Sequence, residues 1–198
     1  EPLVGSVQAI DSPEVKQYKG ERIMFHSRTN DGRDIATTGM LFLPETEPPY
    51  PLVAFGHGTS GVVEQCAPSI SPFATNNDHI KNYFGPWLDA GYAVVGADYL
   101  GAGAPGPYSY LVGRVEGQNV LDSARAARNL HGDKLNGQMF LYGHSQGGNS
   151  VGFAAEILPE YAPELNLDGV LMAAPAASLH KILELAYDKD DVLTPYYG

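Results

Sequence analysis

The stretch Gly143-His144-Ser145-Gln146-Gly147 decides how this chain is expected to fold. An apolar run at residues 138–142 precedes it, and a segment rich in small residues, 148–158, follows it. Read in order, these pieces predict a strand, a sharp turn and a helix. The glycines two positions before and after Ser145 leave room for a strained turn with an exposed hydroxyl, because a bulky side chain there would block it.

A Gly-x-Ser-x-Gly spacing between a strand and a helix is typical of the nucleophile elbow of α/β-hydrolases. Such a serine becomes a nucleophile when a general base, usually a histidine held by a carboxylate, removes its proton. The helix that follows points its N-terminus at Ser145, where its dipole and free N–H groups favour an oxyanion. We therefore expect Ser145 to be a nucleophile. The alternative is a strand-to-helix turn in which the glycines are incidental.

An oxyanion needs two N–H donors, and the sequence indicates where both lie. One is the main-chain N–H of Gln146, the residue after the nucleophile. The other should come from residues 56–61, a glycine-rich loop that directly follows the short apolar strand 52–55. Thr59 is the favoured donor in this loop and Ser60 the next candidate. The alternative is that the loop's glycines only permit a tight turn.

The rest of the chain predicts strands that alternate with helices. Two β-rich segments flank Asn30-Asp31-Gly32-Arg33, which indicates an antiparallel hairpin. Later apolar runs predict buried strands covered on both faces, and the segments between them predict helices. This order implies an α/β fold with a mostly parallel sheet and an antiparallel N-terminal hairpin, as in α/β-hydrolases. The hairpin strands are 21–29 and 35–43, the buried strands 52–55, 92–97, 138–142 and 168–173, and the helices 83–90 and 115–130.

The histidines do not supply an obvious base. His57 lies in the glycine-rich loop and is expected to shape it, and His144 is expected to point away from Ser145 into the packing around the elbow. His180 is the only histidine after Ser145, but it directly follows strand 168–173, which leaves no room for the acid and its strand. The others are expected in an edge strand (His26) and in surface loops (His79 and His131).

No catalytic acid, cofactor or metal site is indicated either. No carboxylate stands at the end of strand 168–173, which runs into Ala174-Pro175-Ala176. Asp188, Asp190 and Asp191 form an acidic cluster that we interpret as a solvated charge run, since a calcium loop needs a longer ligand spacing. The nucleophile half of a hydrolase is therefore expected in this chain, without the acid and the histidine.

Composition narrows the possible partners. The chain has 198 residues, enough for one domain with a substantial core. Its formal net charge of −11 argues against nucleic acid and anionic membranes, which attract clustered Lys and Arg. No stretch approaches the roughly 20 apolar residues of a membrane helix. The acidic, lysine-poor composition suits an exported enzyme, and Cys66, the one cysteine, has no partner for a bridge within the chain.

Several stretches beyond the elbow resemble the secretory lipase family, of the fungal lipase A type. They are Phe55-Gly56-His57-Gly58-Thr59, Cys66-Ala67-Pro68-Ser69, and residues 88–99, 121–127 and 154–165. The resemblance covers most of the chain from about Gly39 onward, although the elbow is closer to the bacterial esterase form. It implies an exported carboxylic ester hydrolase, an esterase or lipase, that acts on small-molecule or lipid esters through an acyl-enzyme.

The resemblance also implies how the chain is divided. Residues 1–177 would be the N-terminal part of the hydrolase core, truncated after strand 168–173, and residues 178–198 would begin a helical cap. The acid and the histidine would follow the cap, beyond Gly198. In the family that the chain resembles, the cysteine of the Cys-Ala-Pro-Ser stretch is bridged to the cap. Carried over to Cys66, this implies a disulfide partner in a C-terminal fragment of the same enzyme. Two other functions stay open: a peptidase or amidase on the same fold, or a non-catalytic binding module.

Overall fold

One mixed sheet organises the chain, in a computed structural model that describes residues 4–10, 18–70 and 80–188. The described residues form seven strands in the order β1-β2-β3-β5-β4-β6-β7. They are β1 (Val4–Ile10), β2 (Lys19–Arg28), β3 (Asp34–Leu43), β4 (Tyr50–Gly56), β5 (Ala93–Ala97), β6 (Leu135–His144) and β7 (Gly169–Ala173). The helices are α1 (Gly85–Asp89), entered through a π-helical turn at Ile80–Phe84, α2 (Gly113–His131), α3 (Gln146–Tyr161) and α4 (Leu179–Asp188).

The antiparallel half of the sheet is built on the predicted hairpin. β2 and β3 pair antiparallel, and Gly32 adopts φ +80° in the connecting turn, a value that favours glycine. β1, which the sequence did not predict, adds a further antiparallel strand outside β2. The placing of His26 in an edge strand was therefore wrong, because β2 has a neighbour on each side.

The parallel half brings the functional segments together. β5, β4, β6 and β7 pair parallel, so the carboxyl ends of these strands lie along one edge of the sheet. The loop after β4 (residues 56–61), the loop after β5 (98–112) and the turn at Ser145 after β6 all begin there. This is the edge at which open α/β sheets bind their ligands.

The central strand β4 is covered on both faces, as predicted. Leu52 and Ala54 join the cluster packed beneath α2 and α3, whereas Val53 and Phe55 join the cluster packed beneath α1 on the other face. This alternation follows from the two-residue period of a strand. No helix within the described residues is long and apolar enough to span a bilayer.

β7 departs from the prediction of a buried strand. Val170, Leu171 and Met172 are 40%, 51% and 50% exposed. The strand stands last in the sheet, and no further strand pairs with it in the part of the chain that the structure describes. An apolar run in a sequence shows only that its side chains are apolar. It does not tell whether another segment covers them.

Candidate active site

Ser145 occupies a strained turn between β6 and α3. Its backbone has φ 56° and ψ −118°, a left-handed conformation that side-chain-bearing residues rarely adopt and that costs about 1–3 kcal/mol. The Ser145 N–H donates to the Ala173 carbonyl at 2.9 Å, and the Asn149 N–H donates to the Ser145 carbonyl at 3.2 Å. The turn is thus held by β7 on one side and by α3 on the other.

The glycines around Ser145 are required by close backbone packing. A Cβ atom on Gly147 would lie 1.8 Å from the carbonyl oxygen of Gly56, and one on Gly143 would lie 2.1 Å from the carbonyl oxygen of Gly147. Neither space admits a methyl group. The sequence predicted a need for glycine at these positions because the turn leaves no room for side chains. The structure agrees: Gly147 packs against the end of β4, and Gly143 packs against Gly147.

The glycine-rich loop 56–61 lies against the elbow. A Cβ atom on Gly58 would be 3.7 Å from the Cβ of Ser145. The next residue, Thr59, has its hydroxyl 3.0 Å from that of Tyr110, in the loop after β5. Within the described ranges, no turn or loop hydrogen bond joins the main-chain N–H of Thr59 to another backbone group. The structure thus brings the loop and the start of α3 to the same serine.

His57 and Tyr99 support the loop from beneath. Their rings stack with 4.3 Å between centroids, and the Tyr99 hydroxyl donates to the carbonyl oxygen of His57 at 3.0 Å. Nδ1 of His57 lies 2.6 Å from the carbonyl oxygen of Gly58. Burial lowers the pKa of His57, which favours the neutral ring, and raises that of Tyr99 well above its usual value. These contacts shape the loop from within, as the sequence predicts for His57.

Asp98, at the end of β5, anchors the Cys-Ala-Pro-Ser stretch. Its carboxylate accepts a hydrogen bond from the Ser69 N–H at 2.9 Å, one from the Ser69 hydroxyl, and one from the Thr38 hydroxyl at 2.6 Å. Arg22 donates in turn to the Ser69 hydroxyl oxygen at 3.0 Å. Burial raises the pKa of Asp98, while the hydrogen bonds from Ser69 and Thr38 act in the opposite direction. This network fixes the segment that follows loop 56–61.

Glu116 is a buried carboxylate behind the elbow that the sequence did not single out. It lies in the first turn of α2 and is 0% exposed. Its Oε1 accepts hydrogen bonds from the Gln146 side-chain amide at 2.7 Å and the Leu111 N–H at 2.9 Å, and its Oε2 accepts one from the Ser150 hydroxyl at 2.6 Å. Burial raises its pKa to about 7, against the opposing effect of these hydrogen bonds.

The remaining histidines lie in varied surroundings. His144 stacks on Tyr83 with 5.8 Å between ring centroids. His180 lies on α4, its side chain is 80% exposed, and its Nε2 is 3.1 Å from Glu184. His131 is the last residue of α2 and contacts Glu21 at 2.9 Å, so its placing in a surface loop was wrong. His79, Asp190 and Asp191 lie outside the described residues, and Asp188 ends α4.

A separate cleft of about 730 Å³ is lined by residues of β2, β3, α2 and α3. Arg125 lines it, pairing with Asp122 at 2.9 Å and Glu164 at 2.6 Å. Neither Ser145, Gln146 nor any residue of loop 56–61 lines this cleft. Across the described residues, no group of three or more His, Cys, Asp or Glu side chains is arranged to hold a metal ion.

Comparison with known sequences identifies the family. The sequence model described as Secretory lipase matches residues 67–192, more than half of the chain. The chain belongs to the secretory lipase family. It is similar to Lipase 2 of Candida albicans, with 31% identity over 174 residues, which cover 82% of this chain and 36% of that protein. It is also similar to the secreted triacylglycerol lipase LIP5 of Malassezia furfur, with 34% identity over 124 residues, 58% of this chain and 31% of that protein.

Solved structures share the fold. Candida antarctica lipase A in its closed state superimposes with a TM-score of 0.72 and 22% identity, over 85% of this chain and 41% of that one. The rice cell wall degrading esterase LipA of Xanthomonas oryzae gives 0.75 and 21%, over 93% and 53%. The predicted α/β-hydrolase fold, with a mostly parallel sheet and an antiparallel N-terminal part, is confirmed.

The relatives bear on where the protein acts and on how much of its length this chain represents. The expectation of an exported protein is confirmed by a family described as secretory and by relatives named as secreted lipases. The chain spans about a third of the length of the curated relatives it matches. The roles of Ser145, Gln146 and Thr59 stay predictions.

Proposed function

We propose that this chain carries the nucleophile half of a serine hydrolase that cleaves carboxylic esters through an acyl-enzyme. The observation that carries the proposal is the left-handed turn at Ser145, between β6 and α3, with loop 56–61 packed against it. Membership of the secretory lipase family supports an ester, small-molecule or lipid, as the substrate.

The geometry supports a defined set of steps. The Ser145 Oγ attacks the ester carbonyl carbon while a general base takes the hydroxyl proton, and the carbonyl oxygen becomes an oxyanion. The main-chain N–H groups of Gln146 and Thr59 donate to that oxyanion, with Ser60 as the alternative to Thr59. Collapse of the intermediate expels the alcohol, which receives the proton from the base. Water then attacks the acyl-enzyme in the same way and releases the carboxylate product.

The acid and the histidine of this mechanism are proposed to come from residues outside the 198-residue chain. Two observations support this. No histidine side chain hydrogen-bonds to the Ser145 hydroxyl within the described residues, and the match covers only 36% of the length of Lipase 2 of Candida albicans. Residues 1–177 are proposed as the first part of the core and 178–198, which include α4, as the beginning of a cap.

A further part of the proposal is a C-terminal fragment of the same enzyme, linked through Cys66. The exposed apolar side chains of β7 support a covering segment, because an uncovered edge strand with apolar side chains on both faces is unfavourable in water. Cys66 is a half-buried free thiol beside the loop, where a Cβ atom on Gly61 would lie 2.4 Å from its sulfur. Intact mass with and without reductant tests the link. A single mass that carries a free Cys66 thiol under both conditions would overturn it.

The Ser145→Ala variant of the full-length protein tests the proposed function. Its kcat on short-chain p-nitrophenyl esters should fall by about 10⁴-fold, with an unchanged fold. Ser123→Ala is the matched control, because Ser123 lies outside the proposed site and its hydroxyl donates to the Val120 carbonyl of its own helix. Near-normal ester turnover in Ser145→Ala would overturn the assignment. Faster cleavage of peptides or amides than of esters would favour the peptidase alternative, and no turnover at all in the parent protein would favour a binding module.

A further inference from the structure

Glu116 touches both sides of the proposed oxyanion site. On one side, its Oε1 holds the side-chain amide of Gln146, the residue proposed to supply one N–H donor. On the other side, the same oxygen accepts the N–H of Leu111. Tyr110 directly precedes Leu111, and its hydroxyl lies 3.0 Å from the Thr59 hydroxyl. Thr59 is the residue proposed to supply the second donor.

The loop that Glu116 holds is itself strained. Leu111 adopts φ 56°, in the left-handed region that a leucine rarely occupies, and its N–H is fixed by the carboxylate. Without that acceptor, the half-buried N–H of Leu111 would lose its hydrogen bond, and Leu111 would still have a costly backbone conformation to keep. Relaxation there would move Tyr110, and with it the side-chain contact of Thr59.

The start of α3 is held by the same carboxylate. Oε2 accepts the Ser150 hydroxyl at 2.6 Å, one turn after Gln146. Ser150 also lies 3.0 Å from the Gln146 carbonyl oxygen. Two residues in the first turns of the nucleophile helix are thus tied to one side chain of α2. No equivalent link joins Ser145 itself to α2 in the described structure.

The surroundings of Glu116 make this placement costly. It is fully buried, and its hydrogen-bond partners, Gln146, Leu111 and Ser150, are all neutral. The titratable groups that bear on it are the hydroxyls of Tyr99 and Tyr108, which are neutral and are made harder to ionise by its charge. Burial raises its pKa to about 7. Carboxyl groups perturbed in this way are concentrated at functional sites.

We propose that Glu116 is a positioning residue that fixes the two proposed oxyanion donors, Gln146 directly and Thr59 through Leu111 and Tyr110. This inference rests on the proposed function. Glu116 does not touch the substrate. It keeps the donors aligned where charge develops, so its contribution belongs to the transition state and should affect kcat more than KM.

Variants of the full-length enzyme test the proposal. Glu116→Ala removes all three hydrogen bonds, whereas Glu116→Gln keeps an oxygen for Gln146 and Leu111 and offers an amide to Ser150. Asp122→Asn is the matched control, because Asp122 is a buried acid on the same helix whose partners are Ser27, Tyr161 and Arg125.

Rates are expressed per serine labelled by a fluorophosphonate, so that unfolded protein does not count. For p-nitrophenyl butyrate, we expect Glu116→Ala to lower kcat at least tenfold with KM within about threefold of the parent value. Glu116→Gln should restore kcat to within about threefold, and Asp122→Asn should leave kcat unchanged. Gln146→Met, which removes the amide that Glu116 holds, gives a second route if Glu116→Ala does not fold: it should lower kcat at least fivefold.

The outcomes separate this inference from the proposed function. A parent enzyme that is not labelled at Ser145 would overturn both. If the parent is labelled and active, parental kcat in Glu116→Ala or Gln146→Met would overturn the role of Glu116 alone. Equal losses in Glu116→Ala and Glu116→Gln would also contradict positioning through these hydrogen bonds.

Discussion

Replacing Gly147 with alanine tests how tightly the elbow packs against the end of β4. The added Cβ atom would lie 1.8 Å from the carbonyl oxygen of Gly56 and 2.8 Å from that of His57. Both are backbone atoms, so no rotamer change can make room. An ordinary contact of this kind is about 3.4 Å, so the elbow and the loop after β4 would have to separate by about 1.6 Å.

The size of this separation sets two expected effects. Overpacking in a well-packed interior costs about 1–3 kcal/mol, and a clash of the added Cβ atom with rigid backbone atoms falls near the upper end, so we expect about 3 kcal/mol. The same shift moves loop 56–61 away from Ser145. Because a misplacement of about 1 Å at a catalytic site costs about 100-fold in rate, kcat should fall by at least that factor.

The assay combines urea unfolding with ester hydrolysis per labelled serine in the full-length enzyme. Gly132→Ala is the matched control, because nothing lies within 4 Å of the added Cβ atom and the residue has ordinary helical angles, φ −60° and ψ −27°. That variant should keep its activity and gain about 0.4–1 kcal/mol. Parental stability and parental kcat in Gly147→Ala would refute the packing of the elbow described above.

Three further predictions concern the side chains of Glu116, His180 and Asp98. The folded-state pKa of Glu116, about 7 against an ordinary 4.5, means that the folded protein holds this proton more tightly. Its contribution is therefore fully present below pH 4.5 and is lost as the pH rises through 7, by about 3 kcal/mol. Burial also raises the pKa values of Asp98 and Asp122, which both proteins retain. Urea unfolding at pH 4.5 and 8 should therefore show a loss about 3 kcal/mol larger in the parent than in Glu116→Gln. His180→Ala should leave ester hydrolysis unchanged, since the side chain is 80% exposed and pairs with Glu184; a loss above tenfold would make His180 the base. Asp98→Asn should lower the unfolding free energy by about 1–3 kcal/mol, because one oxygen that accepts hydrogen bonds, including that of Ser69, is lost; equal urea midpoints for both proteins would contradict the network.

The fold around the elbow was predictable because its signals are local. Apolar runs and glycines predicted β4 (Tyr50–Gly56), β6 (Leu135–His144) and α3 (Gln146–Tyr161), although each element extends beyond the predicted bounds. Gly143 and Gly147 marked a turn that only glycine permits at those positions. Such requirements depend on a few neighbouring residues and are therefore visible in a single sequence.

The rest depended on contacts between distant residues. β1 (Val4–Ile10) was missed because its short pattern becomes a strand only by pairing with β2 (Lys19–Arg28). The exposure of β7 (Gly169–Ala173) was missed because burial depends on what lies above a strand. Glu116 was passed over because a glutamate in a helix usually faces water, and only the packing of α2 on α3 turns it inward.

Covalent labelling of the full-length protein tests the central claim most directly. A fluorophosphonate reacts with an activated serine when the serine oxygen attacks phosphorus and the P–F bond breaks with loss of fluoride. Peptide mass mapping then locates the adduct. The account predicts one adduct per molecule, on Ser145, within the peptide that contains residues 143–147, and none in Ser145→Ala or in urea. An adduct on another serine, or an unmodified Ser145 in protein that hydrolyses esters, would contradict it.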